Sequence, residues 1–251
     1  MPLDNVGLAL CYAVDAAAFA EDRLGFQPDP WQRQLLRSTA RWILLNCCRQ
    51  SGKSTTTAIL ALHQAIYDPG LVLLVSPSLR QSRELFAKVI GFLKNLEPVQ
   101  PLLEDNKSSC ELVNGSRIVS LPGDPDTVRG FSAPRMIVKD EAAYVSDEMQ
   151  TALDPMLAIS HGRLIEMSSP NGKRGHFYEN WRRGEAVERI KITGRQCPRI
   201  TSEFLDQQRR KLGPMLFGQE YEGEFIDPES SAFLSAMIER ALVDDFERFP
   251  A

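Results

Sequence analysis

Trp42 to Cys48 is a short apolar run of strand length. A glycine-containing turn follows, and from Lys53 to Tyr67 the residues Ile59, Leu62 and Ile66 recur at helical spacing. A buried strand feeding a helix through a tight turn is the repeating unit of parallel sheets, so this stretch constrains the fold more than any other. The turn reads Cys47-Cys48-Arg49-Gln50-Ser51-Gly52-Lys53-Ser54, with Thr55 in the first helical turn. Gly52 lets the backbone approach an anion closely, Lys53 can reach phosphate oxygens, and Ser54 offers a hydroxyl to Mg²⁺. The first N–H groups of the helix point at the same place. A strict phosphate loop asks for Gly at position 47, where this chain has Cys. Arg49, unusual inside such a loop, either contacts the terminal phosphate or is solvated.

The alternation continues downstream. Leu71 to Val75 reads as a buried strand, and Ser78 caps a helix with Leu85, Phe86, Val89, Ile90 and Leu93 on one face. Cys110–Val113 and Arg117–Leu121 predict a hairpin joined by a two-residue Asn114-Gly115 turn. Arg135–Lys139, Arg163–Met167 and Val187–Thr193 read as strands, with a helix over Glu148–Ala158. Near the N-terminus, Leu8, Tyr12, Ala16, Phe19 and Ala20 predict one amphipathic helix from Asp4 to Arg23, and Trp31–Thr39 a second, shorter one. The expected fold is α/β, with a mostly parallel central sheet and helices on both faces. Asp227–Ser231 resembles a linker, and Phe233–Phe249 predicts a final helix. Residues 1–228 therefore read as the main domain and 229–251 as a linker or lid-like segment.

A second chemical feature sits at the end of a strand. Met136-Ile137-Val138-Lys139-Asp140-Glu141 is an apolar run closing on two carboxylates. Asp140 can hold Mg²⁺ together with Ser54, and Glu141 can polarise a water for attack on a terminal phosphate. The plainer alternative is an acidic cap for the next helix, but the phosphate loop in the same chain favours the chemical reading.

Composition narrows the setting. No apolar run is long enough to span a bilayer, and the N-terminus lacks a basic signal region, so a soluble protein is expected. The five cysteines, Cys11, Cys47, Cys48, Cys110 and Cys197, show no CxxC spacing and are expected to be reduced. Net charge is −4, yet Lys173–Arg199 carries eight basic residues against three Glu. Such an island can contact phosphates or simply be a solvated face.

Several segments, in this order, resemble the large terminase family of tailed phages and herpesviruses. Pro30-Trp31-Gln32 is similar to the adenine-contacting segment, in which Gln32 reads the base edge. Arg49-Gln50-Ser51-Gly52-Lys53-Ser54 resembles the family's phosphate loop, which lacks the first Gly and carries an Arg. Ser76-Pro77-Ser78-Leu79-Arg80-Gln81-Ser82 looks like the motif after the second strand, and Asp140-Glu141-Ala142-Ala143 like the acidic motif. Ser168-Ser169-Pro170-Asn171-Gly172 resembles the coupling motif that links phosphate status to movement. Phe217–Phe225 looks like the segment closing the ATPase region.

The resemblance implies a P-loop NTPase of the additional-strand (ASCE) type that hydrolyses ATP with Mg²⁺ to drive double-stranded DNA into a procapsid. It assigns catalysis to Glu141, Lys53, Arg129 and Arg49. Nucleotide binding goes to Gln32, Arg49, Gln50, Ser51, Gly52, Lys53, Ser54 and Thr55, metal binding to Ser54 and Asp140, and coupling to Ser168, Ser169 and Asn171. Arg129, in Thr127-Val128-Arg129-Gly130, would act on a neighbouring subunit's ATP; otherwise it pairs with Asp124 or Asp126. The implied partners are DNA, a portal protein, a small terminase subunit and copies of the chain in a ring, a pentamer in the family. The implied place is the host cytoplasm, with no membrane. The family's nuclease domain is expected to lie outside these residues. Two other readings stand beside this one: a DEAD-box-like helicase core, and a nucleotide-switched DNA-binding module with little hydrolysis.

Overall fold

The computed structural model describes residues 5–96 and 102–227. The N-terminal stretch is two helices, not the single one expected: α1 (Asn5–Val14) and α2 (Ala16–Leu24). Asp15 breaks them, because its carboxylate accepts from the backbone N–H of Ala17 and Ala18 and so caps a new helix in mid-pattern. Gly25, in the left-handed region at φ 61°, ends α2. Pro30 then opens α3 (Pro30–Arg37) at a position where its missing N–H costs nothing.

β1 (Trp42–Cys47) leads through the loop into α4 (Lys53–Tyr67), and β2 (Leu71–Ser76) into α5 (Leu79–Asn95). The Ser78 hydroxyl caps α5 by accepting from the Gln81 N–H, as the sequence predicts. An edge strand absent from the sequence reading, β3 (Leu102–Asp105), precedes β4 (Ser109–Leu112) and β5 (Arg117–Pro122). The β4–β5 connection differs from the expected two-residue turn. Leu112 pairs with Ser116 through a 2.9 Å bond, leaving a three-residue loop with Gly115 at φ 82°. Asn114 is pulled out of the turn to donate to the Ala65 carbonyl at the end of α4.

The rest runs α6 (Pro125–Val128), β6 (Met136–Asp140), a 3-10 turn at Ala142–Tyr144, α7 (Asp147–Ser160) and β7 (Arg163–Ser168). It continues with α8 (Gly175–Arg183), β8 (Glu188–Ile192), a 3-10 turn at Gly194–Gln196 and α9 (Ser202–Glu222). α9 is broken at Gly213, whose φ of 73° and ψ of 170° no helix contains, just ahead of Pro214. The predicted linker and final helix over 229–251 lie outside the described residues.

The strands form one sheet in the order β3-β4-β5-β2-β6-β7-β1-β8, in which β4 alone runs antiparallel to its neighbours β3 and β5. β7 lies between β1 and β6, so the strand feeding the glycine turn and the strand ending in Asp140 are not neighbours. This is the additional strand that the ASCE expectation requires. Parallel register brings the C-terminal tips to one edge: Asn46 pairs with Ser168, and Asp140 with Met167. Ligands of open parallel sheets bind at that edge. The larger core, with Phe19, Leu35, Ile59, Leu62 and Val89, packs α2 to α5 on one face; Leu73, Ile137, Met149 and Leu153 pack α7 on the other.

Candidate functional site

Lys53 is the first residue of α4, immediately after Gly52, which turns the chain at φ 94°. That backbone admits no ordinary side chain: a Cβ on Gly52 would lie 2.7 Å from Gln32 Nε2 and 3.2 Å from Arg199 Nη2. Lys53 Nζ lies 3.0 Å from Asp140 Oδ1 and 2.5 Å from Glu141 Oε1. Burial disfavours the Lys53 ammonium, but the two carboxylates outweigh it and raise its pKa above the usual lysine value. Ser54 Oγ donates to Asp140 Oδ2 at 3.3 Å. The phosphate-loop lysine, its serine and the acidic pair, read separately from sequence, are thus one cluster.

Glu141 holds an unusual backbone, φ 51° and ψ 44°, at the start of the Ala142–Tyr144 turn. A non-glycine residue in the left-handed region costs about 1–2 kcal/mol and occurs where position matters more than comfort. The bend carries the carboxylate off the strand and over Lys53, while the Glu141 N–H donates to Asp140 Oδ1 at 2.9 Å. Ser168 Oγ, at the tip of β7, donates to Glu141 Oε2 at 3.4 Å. Asn171 Nδ2 donates to the Ala143 carbonyl at 3.3 Å, tying the loop after β7 to the turn after β6. An open cleft of about 540 Å³ lies before this cluster, lined by Arg49, Gln50, Lys53, Glu141, Tyr144 and Ser169, among others.

The remaining predicted residues fall in distinct places. Gln32 is buried beside Gly52, its Oε1 accepting from the Asp29 N–H at 2.8 Å. Gln50 and Ser51 form the turn, Gln50 at φ 58°, and Thr55 lies in the first turn of α4. Arg49 is paired with Glu220 of α9, which also bonds it through the backbone, and that partner raises its pKa. Arg129 follows the last residue of α6, three-quarters exposed and 3.3 Å from Asp126. Of the basic residues near the motifs, Arg80 pairs with Glu84 and Lys173 with Asp227, Arg83 bonds Ser108, and Arg174 precedes α8.

Two neighbours of the loop escaped the sequence reading. Tyr144 lines the cleft, and Arg199 Nη2 donates to the Ser51 carbonyl at 2.8 Å. Neither belongs to a local pattern. Arg199 lies 148 residues along the chain from Ser51, and only its membership of a basic island marked it.

Beside this cluster, on the same strands, lies a closed one. Lys139 and Glu166, register partners on β6 and β7, are wholly buried with Nζ and Oε1 2.8 Å apart. Lys139 also bonds Gln150 of α7, and His176 of α8 lies 2.9 Å from Lys139 and 3.3 Å from Glu166. Trp42 Nε1 donates to Glu166 Oε2 at 2.8 Å. Burial pushes the Glu166 carboxyl up, but Lys139 and His176 pull it down further, to about 2. Among the described residues, no helix is long and apolar enough to cross a membrane.

The chain is similar to several phage proteins. The large terminase subunits of Thermus phage G20c and Thermus virus P23-45 are each 26% identical over 250 residues, covering 84% of this chain and 51% of theirs. The chain thus spans about half the length of these relatives. Among solved structures, the large terminase ATPase domain of Thermus phage P74-26 superposes with a TM-score of 0.73 at 22% identity, covering 81% of this chain and 96% of that one. The HK97 bacteriophage large terminase gives 0.70 at 14% identity, covering 85% and 55%. The large terminase of a thermophilic bacteriophage, in complex with ADP, gives 0.61 at 9%, covering 86% and 53%. The family described as "Terminase large subunit, T4likevirus-type, N-terminal" matches residues 44–240, and the chain belongs to that family.

Proposed function

We propose that residues 1–228 are the ATPase unit of a phage DNA-packaging motor, hydrolysing ATP to move double-stranded DNA into a procapsid. The observation that carries this is Lys53, held 3.0 Å from Asp140 and 2.5 Å from Glu141 at the tip of a parallel sheet beside an open cleft. A lysine between two carboxylates is a phosphate site at rest. When the triphosphate enters, Lys53 exchanges the carboxylates for phosphate oxygens, and the N–H groups at the start of α4 receive the same anion. Glu141, released, accepts a proton from the attacking water, with Ser168 fixing its far oxygen. Ser54 and Asp140 are hard oxygen donors from two elements and fit Mg²⁺ completed by phosphate and water oxygens; bound there, it would neutralise charge on the phosphates. Nucleotide binding has support from the thermophilic-phage relative described in complex with ADP.

Gln32 is the base-side residue, and Ser168, Ser169 and Asn171 couple the state of the terminal phosphate to the turn carrying Glu141. In this reading Arg129, exposed at the end of α6, leaves Asp126 to act on a neighbouring subunit's ATP. The working assembly in this reading is a ring of copies, a pentamer in the family, docked on a portal protein with a small terminase subunit in the host cytoplasm.

The test is steady-state ATP hydrolysis with Mg²⁺ across protein concentration. Turnover that rises faster than linearly, and falls about 10³- to 10⁵-fold in Arg129→Ala with nucleotide affinity retained, is expected of a site completed in trans. Equal loss of affinity and turnover would remove Arg129 from that role. No turnover at any concentration would return the reading to a nucleotide-switched DNA-binding module.

A further inference from the structure

The segment after β8 crosses the mouth of the phosphate loop and is firmly held there. The Cys48 N–H donates to the Ile192 carbonyl at 2.9 Å, and the Cys48 and Cys197 sulfurs lie 3.6 Å apart in the interior. Gly194 packs so closely under α9 that a Cβ there would come within 2.7 Å of Leu205 Cδ2. This segment carries Arg199. Its Nη2 lies 2.8 Å from both the Ser51 carbonyl and Asp29 Oδ2, and its Nη1 lies 3.2 Å from Asp29 Oδ1. Asp29 is the cap of α3, and its N–H is held by Gln32 Oε1 at 2.8 Å. The guanidinium therefore ties the segment carrying Gln32 to the backbone of the phosphate loop, with Gly52 directly beneath both side chains.

An Arg–Asp pair with the arginine half exposed contributes little to stability. Its geometry matters more. A planar fork that satisfies a carboxylate and a carbonyl together fixes a distance between two chain segments, which a lysine's point charge does not. On the nucleotide-binding reading above, we propose that Arg199 is a positioning residue of that site: it sets Gln32 relative to the phosphate loop and thereby governs nucleotide affinity. It acts through Gln32, because both Nη2 donors and one Nη1 donor are engaged with Asp29 and Ser51 and hold those two segments together.

A double-mutant cycle on the whole chain tests this, with ADP as the probe. Arg199→Ala and Gln32→Ala should each weaken ADP binding about tenfold, and the double variant by no more than the worse single one, because both remove one arrangement. Arg199→Lys should fail to restore affinity, and the unfolding midpoint of Arg199→Ala should stay close to wild type. In turnover assays the loss should fall on KM rather than on kcat. Additive losses near a hundredfold, unchanged affinity in Arg199→Ala, or rescue by lysine would each overturn the proposal while leaving the nucleotide reading intact. Failure of the wild-type chain to bind ADP would overturn both.

Discussion

Two lysine–carboxylate clusters are built around consecutive residues of β6, and they have opposite characters. Lys139 points into the protein, where Glu166, His176, Gln150 and Trp42 leave neither the cation nor its carboxylate open to water. Asp140 points to the sheet edge, where Lys53 and Glu141 keep part of their surface in the cleft. The closed cluster is shut off from water and ties β6 to β7. In the open one a single ammonium serves two carboxylates beside an open cleft. Access and unspent bonding capacity, rather than residue type, separate a site from a strut.

The sharpest way to break that distinction is to remove one carboxylate from each cluster. Glu141→Ala should lower turnover by about 10²- to 10⁴-fold, the usual worth of a general base, while changing unfolding free energy by about 1 kcal/mol or less. Both are read on one preparation by ATP hydrolysis and urea denaturation. A large loss of stability would place Glu141 with the struts.

Glu166→Gln should do the reverse, costing about 3–5 kcal/mol because Lys139 is left charged and unpaired in the interior. Lys139→Met with Glu166→Met should recover most of that loss. If the double variant is as unstable as the single, the closed cluster contributes more than a paired charge.

The smallest effect is in pH. The Glu166 carboxyl is held at about 2 against an ordinary value of 4.5, so its contribution to stability is complete above about pH 4.5 and lost as pH falls toward 2. Urea midpoints measured between those values should decline more steeply for wild type than for Glu166→Gln. Parallel curves would mean that other carboxylates set the acid limb.

The parts legible in the sequence are those whose signal is short-ranged. β1, its glycine turn and α4 are encoded within a few dozen residues, and the strand ending in Asp140-Glu141 within six. What escaped depends on partners far along the chain. Arg199 meets Ser51, and Arg49 meets Glu220, only after β8 and α9 have packed back across the loop. α8 is only nine residues long, and its apolar side, Phe177, Tyr178 and Trp181, packs against Phe225, far along the chain. The split between α1 and α2 was missed for another reason: Asp15 lies on a continuous apolar pattern, and its capping bonds outweigh the periodicity.

The left-handed backbone at Glu141 has a consequence for anyone selecting improved versions of this chain. At φ 51° glycine is the residue the main chain prefers, so position 141 is one where relief of conformational strain and loss of the proposed base coincide. Selection for heat tolerance alone would drift toward the inert molecule, and only selection for work performed would hold the glutamate in its uncomfortable place.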